Sequence, residues 1–201
     1  MDIWGPYKVA TTYGHQYFLT ILDDHSRAVW IYLMKGKSEA RGLIVGFCNL
    51  VENQFGTKVK CIRSDNGLEF NMVEFFKQKG IIHQTSCTYT PQQNSRVERK
   101  HGHLLSTARA LKFQANLPEQ FWGECVLHTA YIINRLPSAA INNRIPYQVL
   151  IKKVPHVPIE ISETPQSHSQ VSDNINSEQA CLYQGEIPEQ SPTPPEVHNQ
   201  Q

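Results

Sequence analysis

The chain has 201 residues, 40% hydrophobic and 9% aromatic, which is enough for one well-formed core. Its formal charge of +1 hides a split: all 19 Lys and Arg precede Pro158 and face 11 acids there, leaving +8, while the other seven acids put −7 on residues 158–201. No signal peptide or apolar run of spanning length is present, and five scattered cysteines without a Cys-x-x-Cys pair argue against a zinc ribbon or a disulfide framework and suit a reduced intracellular setting.

In chain order, Tyr17 to Leu22 and Arg27 to Met34 are rich in aromatic and β-branched residues around Asp23-Asp24-His25-Ser26, which predicts a hairpin. Asp23 and Asp24 read as strand-end and turn residues that support it. Ser38 looks like the cap of a helix over Glu39 to Phe55, stopped by Gly56. Lys58 to Arg63 alternates as a half-buried strand and is expected at the centre of the sheet, with Asn66-Gly67 as a turn behind it. A short helix over Val73 to Lys79 ends at Gly80, a brief strand follows over Ile81 to Gln84, and Thr85 to Gln93 forms a loop. The next helix is set by Val97, Leu104, Ala108 and Leu111 at helical spacing, while Arg96, Lys100 and His103 line another face. A last helix over Pro118 to Arg135 has Pro in its first turn and directs Phe121, Trp122, Cys125, Leu127, Ala130, Tyr131 and Ile133 mostly inward. Strands followed by alternation with helices predict a mixed α/β sheet with helices on both faces. Residues 158–201, acidic and rich in Pro, Ser and Gln, are expected to be disordered.

Three acids stand at structurally suggestive places. Asp65 follows the predicted strand, Glu98 opens the helix after the loop, and Asp2 precedes a Gly-Pro breaker. Mg²⁺ prefers carboxylate and water oxygens and leaves positions for a substrate phosphate. Acids on two strand ends and a helix would hold a metal pair roughly 4 Å apart for phosphoryl transfer. A lone Asp before Asn-Gly is ordinarily a turn residue, and a lone helical Glu is ordinarily half of a weak surface ion pair, so the signal rests on the set. The run Arg96, Arg99, Lys100, His101 and His103 beside Glu98 reads as a contact surface for phosphates rather than merely a solvated face.

The strings Asp2-Ile-Trp-Gly-Pro, Ile21-Leu-Asp-Asp-His-Ser-Arg27, Ser64-Asp-Asn-Gly-Leu-Glu-Phe70, Tyr89-Thr-Pro-Gln-Gln-Asn94 and Val97-Glu-Arg-Lys100 resemble the integrase catalytic core of copia-type plant retrotransposons. The resemblance covers about residues 2–150 and implies a ribonuclease-H-like fold whose catalytic, metal-binding acids map onto Asp2, Asp65 and Glu98. It implies Mg²⁺ or Mn²⁺ as cofactor and DNA as partner, with Asn94, Arg96, Arg99, Lys100 and His103 at the DNA. The activity implied is cutting and joining of DNA ends. It further implies a homo-oligomer, no membrane or small-molecule partner, and a nuclear site of action. Residues 1–150 would be the catalytic core and 151–201 a linker with an acidic tail. Departures from the pattern stand out: 32 residues between Asp65 and Glu98, roughly three fewer than expected, and Ser95 where Gly is usual, and there is also no His-His-Cys-Cys zinc module. The strand carrying Asp2 is expected to be largely missing, leaving that acid little to anchor it. Two other classes stay open: a catalytically inactive nucleic-acid-binding remnant, and a domesticated interaction protein.

Overall fold

Runs of large apolar side chains build the first sheet. Tyr17–Leu22 (β2) and Val29–Met34 (β3) pair antiparallel, from Tyr17 opposite Met34 to Leu22 opposite Val29. Asp2–Trp4 (β1) joins the other edge of β2, with Asp2 opposite Thr20 and Trp4 opposite Phe18. The strand expected to be largely missing is therefore present as three residues, and it holds Asp2 in a ladder. A computed structural model describes residues 1–86 and 95–152. Most of the predicted 85–93 loop, Asn94 and the predicted tail lie outside the described residues. All described residues fall in one unit, Met1–Val171.

Both faces of this sheet are covered, which is why Phe18, Leu19, Thr20 and Ile21 are all buried in succession. On one face lies the helix Ala40–Phe55 (α1), where Phe47 meets Trp30 edge-on at 5.2 Å. On the other lie Ser95–Gln114 (α3) and Trp122–Arg135 (α4), whose Leu104, Ala108, Trp122, Val126 and Ile133 form a core with Phe18, Val29 and Ile31. Trp4 stacks on Phe18 at 5.2 Å, and Trp122 Nε1 donates to Val9 O at 2.8 Å, tying the β1–β2 connection to α4. Gly123 is where α4 presses closest, since a Cβ there would lie 2.8 Å from Thr11 and 2.9 Å from Leu33.

A second, parallel pair is formed by Cys61–Ser64 (β4) and Ile82–Thr85 (β5), joined through the helix Val73–Lys79 (α2). Gly56 and Gly80 end α1 and α2 at φ of 56° and 68°, where a side chain would be strained. The expectation of β4 at the centre of a continuous sheet is corrected: among the described residues β4 pairs with β5 alone, and the ladder does not pass from β1 to β4. Met1 N donates to Arg63 O at 2.6 Å across that seam.

Two predicted helix starts also change. The cap at the start of α1 is not Ser38; instead the Glu39 carboxylate accepts from Lys35 N at 2.9 Å and Gly36 N at 3.0 Å around a 3₁₀ turn, Lys37–Glu39. Pro118 precedes a 3₁₀ turn, Glu119–Phe121, and α4 proper starts at Trp122. After α4 the chain makes a further 3₁₀ turn, Ala139–Ile141, and a short helix, Pro146–Ile151 (α5). Asn134, buried near the end of α4, accepts from Val29 N at 2.9 Å and donates to Val29 O at 2.8 Å, so one amide satisfies both backbone groups of a β3 residue.

Candidate active site

The fold brings the three predicted acids toward one place. Asp2 is the first residue of β1, half-buried, with Oδ1 accepting from Ile3 N at 2.8 Å. Asp65 directly follows β4, and its Oδ1 accepts from Gly67 N at 3.1 Å, a local turn bond that fixes the carboxylate at the strand tip. Glu98 lies in the first turn of α3, exposed, where a negative charge suits the helix N-terminus. The Asp2 carboxyl is pushed up to about 6, first by burial and then by the Asp65 charge, with a smaller push from Glu98. Asp2 thus feels the charges of both other acids. Among the described residues, however, no three His, Cys, Asp or Glu side chains close into a metal-ligand shell.

His101, expected on the basic face, is instead buried beneath Asp2. Its Nε2 shares a hydrogen bond of 3.0 Å with Thr20 Oγ1, its Nδ1 lies 3.7 Å from Asp2 Oδ2, and Phe18 meets the ring edge-on. Burial holds its pKa down to about 4, so the contact with Asp2 is one of a neutral imidazole rather than an ion pair. The apolar stripe Val97, Leu104 and Ala108 was the signal for this position, since His101 falls on it at helical spacing.

The other residues of the predicted basic run stay together. Arg96, Arg99, Lys100 and His103 line a cavity of about 250 Å³ with Leu22 and Arg27 of the β2–β3 hairpin and with Ser138 and Ala140 after α4. Sequence reasoning missed Arg27, although it ends the string Asp23-Asp24-His25-Ser26-Arg27. Asp23 Oδ2 accepts from Ser26 N at 2.7 Å and Ser26 Oγ at 2.6 Å, which closes the hairpin as expected of a turn residue. Asp24 pairs with Arg27 at 2.8 Å and with Arg96.

Residues 1–91 match the family described as Integrase core domain. The chain carries an integrase core. It is 37% identical over 155 residues to "Retrovirus-related Pol polyprotein from transposon TNT 1-94" of Nicotiana tabacum, a match covering 76% of this chain and 12% of that protein. It is 35% identical over 156 residues to "Retrovirus-related Pol polyprotein from transposon RE1" of Arabidopsis thaliana, covering 77% of this chain and 11% of the relative. The integrase core therefore spans about a tenth of the length of these curated relatives. A chain in the "CryoEM structure of simian T-cell lymphotropic virus intasome in complex with PP2A regulatory subunit B56 gamma" superposes with a TM-score of 0.56 at 20% identity, covering 86% of this chain and 60% of that one. The fold of this integrase core is ribonuclease-H-like, and its relatives are copia-type Pol polyproteins of plants.

Proposed function

We propose that this integrase core processes DNA ends and joins them to target DNA, with Asp2, Asp65 and Glu98 as the catalytic acids. One observation carries the reading: Asp2 on β1 lies within electrostatic reach of Asp65 at the tip of β4 and of Glu98 in the first turn of α3, and burial and repulsion raise it to about 6. Carboxylate oxygens are hard donors of the kind that Mg²⁺ or Mn²⁺ prefers. A bound divalent ion would polarise the attacked phosphate and favour ionisation of the attacking oxygen. The ladder with β2 holds Asp2 and the turn bond to Gly67 holds Asp65, while α3 presents Glu98 on a helix anchored by Val97 and Leu104. Arg96, Arg99, Lys100 and His103 fix the DNA backbone alongside, and Asn94 belongs to the same proposal. By the same reading the chain works as a homo-oligomer on nuclear DNA. No described helix is long and apolar enough to cross a membrane.

The exposure of Glu98 and the unclosed ligand shell favour a second reading, a nucleic-acid-binding remnant that no longer cuts. Mn²⁺-dependent nicking and strand joining on a labelled duplex separates the two. The expected result is activity in the folded wild type that disappears in Asp65→Asn and Glu98→Gln. Folded protein that binds DNA and Mn²⁺ but cuts in neither form supports the remnant.

A further inference from the structure

We propose that the cavity between the β2–β3 hairpin, α3 and the segment after α4 is a seat for a DNA phosphodiester, gripped by Arg27 and Lys100, with Asp24 as the internal anion that gives way to it. The inference rests on the DNA reading above and deepens it.

Charge imbalance is the first argument. Four full cations, Arg27, Arg96, Arg99 and Lys100, face the cavity, and Asp24 is shared by Arg27 and Arg96. Arg99 and Lys100 have no acidic partner among the described residues. A half-buried ammonium without a counter-ion is costly, and Lys100 is half-buried at the cavity wall. An anion entering the cavity removes that penalty.

The second argument is how Arg27 is held. It occupies the left-handed region at φ 63°, where a long side chain is unusual, and the bond from Arg27 N to Asp23 O at 3.0 Å closes the turn around it. Its Nε is buried with no hydrogen-bond partner. A planar guanidinium fork with an unused donor beside a cavity suits the pair of charged oxygens that a phosphodiester offers.

The third argument selects a polyanion over a small acid. Arg96 and Arg99 flank Glu98, and the cations run on to Lys100 at the cavity, roughly 6 Å of helix at 1.5 Å per residue. Such a row matches a strand of repeating phosphates, with the cavity fixing one of them at a set distance from the acids. Asp24 is 71% exposed and offers one oxygen, Oδ1, to both Arg27 and Arg96, so it is displaced at little cost.

The test is fluorescence anisotropy of the full chain with a fluorescein-labelled duplex in EDTA, titrated across 50–200 mM salt, after thermal melts show that each variant is folded. Arg27→Gln and Lys100→Gln should each weaken binding about tenfold and reduce the salt slope by about one. Asp24→Asn should tighten binding severalfold, and Lys77→Gln, an exposed cation on α2, should leave it unchanged. If Arg27→Gln fails to fold, Lys100→Gln decides. Unchanged affinity and slope in folded pocket variants would overturn the proposal, as would displacement of the duplex by millimolar inorganic phosphate at constant ionic strength, which assigns the cavity to a free anion. The nicking assay reports separately. A chain that never nicks yet loses slope in Arg27→Gln keeps the seat and loses the catalytic reading; nicking abolished by Asp65→Asn with slopes intact does the reverse.

Discussion

Asp2 and His101 touch, yet their burial acts on stability in opposite directions. Asp2 rises from its ordinary 3.8 to about 6 in the fold, so its protonated form is favoured and that contribution, present below pH 3.8, is lost as pH climbs through about 6. His101 falls from 6.5 to about 4, so its neutral form is favoured and its contribution, present above pH 6.5, is lost as pH drops through about 4. Asp2→Asn removes the first effect alone. In EDTA the variant should therefore melt higher than wild type at pH 7, with the advantage gone at pH 4; an equal difference at both values would refute the assignment. Asn134 offers a second test at this scale. Asn134→Ala strips both backbone groups of buried Val29 of their partners, and urea unfolding should show a loss of about 2 kcal/mol or more. The three acids were legible as members of ordered strings. The burial of His101 was legible from helical spacing but masked by counting it as a charge, and Arg27 was not legible at all, because its cavity exists only once the hairpin folds against α3.

Elements marked by local chemistry were readable in the sequence. The hairpin strands, α1, α2 and α3 follow apolar runs and glycine stops, and Gly56 and Gly80 adopt the left-handed conformation that ends a helix. Features set by distant partners were not. The capping role of Glu39 depends on the bend at Gly36, and the Asn134 clasp joins residues far apart in sequence. Packing of α4 on β3 is equally nonlocal, and Gly123 is its tightest point. Gly123→Val should force Leu33 and Thr11 aside and destabilise by about 1–3 kcal/mol, read as a lower urea midpoint with an unchanged slope. A neutral outcome would mean that the helix slides freely on the sheet.

At the scale of the molecule, the two sheets meet at a seam where no ladder runs, with Asp2 at the edge of one and Asp65 at the tip of the other. Under the proposed function a divalent ion would bridge that seam. Mn²⁺ at a hundred times its dissociation constant should then stabilise the fold by about 2.7 kcal/mol, seen as a raised melting temperature that Asp65→Asn abolishes. An identical melting curve with and without Mn²⁺ would remove the bridge. The basic body, by contrast, was plain in the sequence as 19 cations against 11 acids before Pro158.

The seam has one more consequence. Because β1 is only three residues long and its one ladder among the described residues is with β2, it is the place where local opening should begin, and hydrogen exchange at Ile3 and Trp4 should outpace exchange at Leu19 and Thr20. Under the proposed function Asp2 would then stand on the molecule's weakest joint, with the ion acting as a rivet, so that starvation for metal would loosen the scaffold in the same event that silences its chemistry.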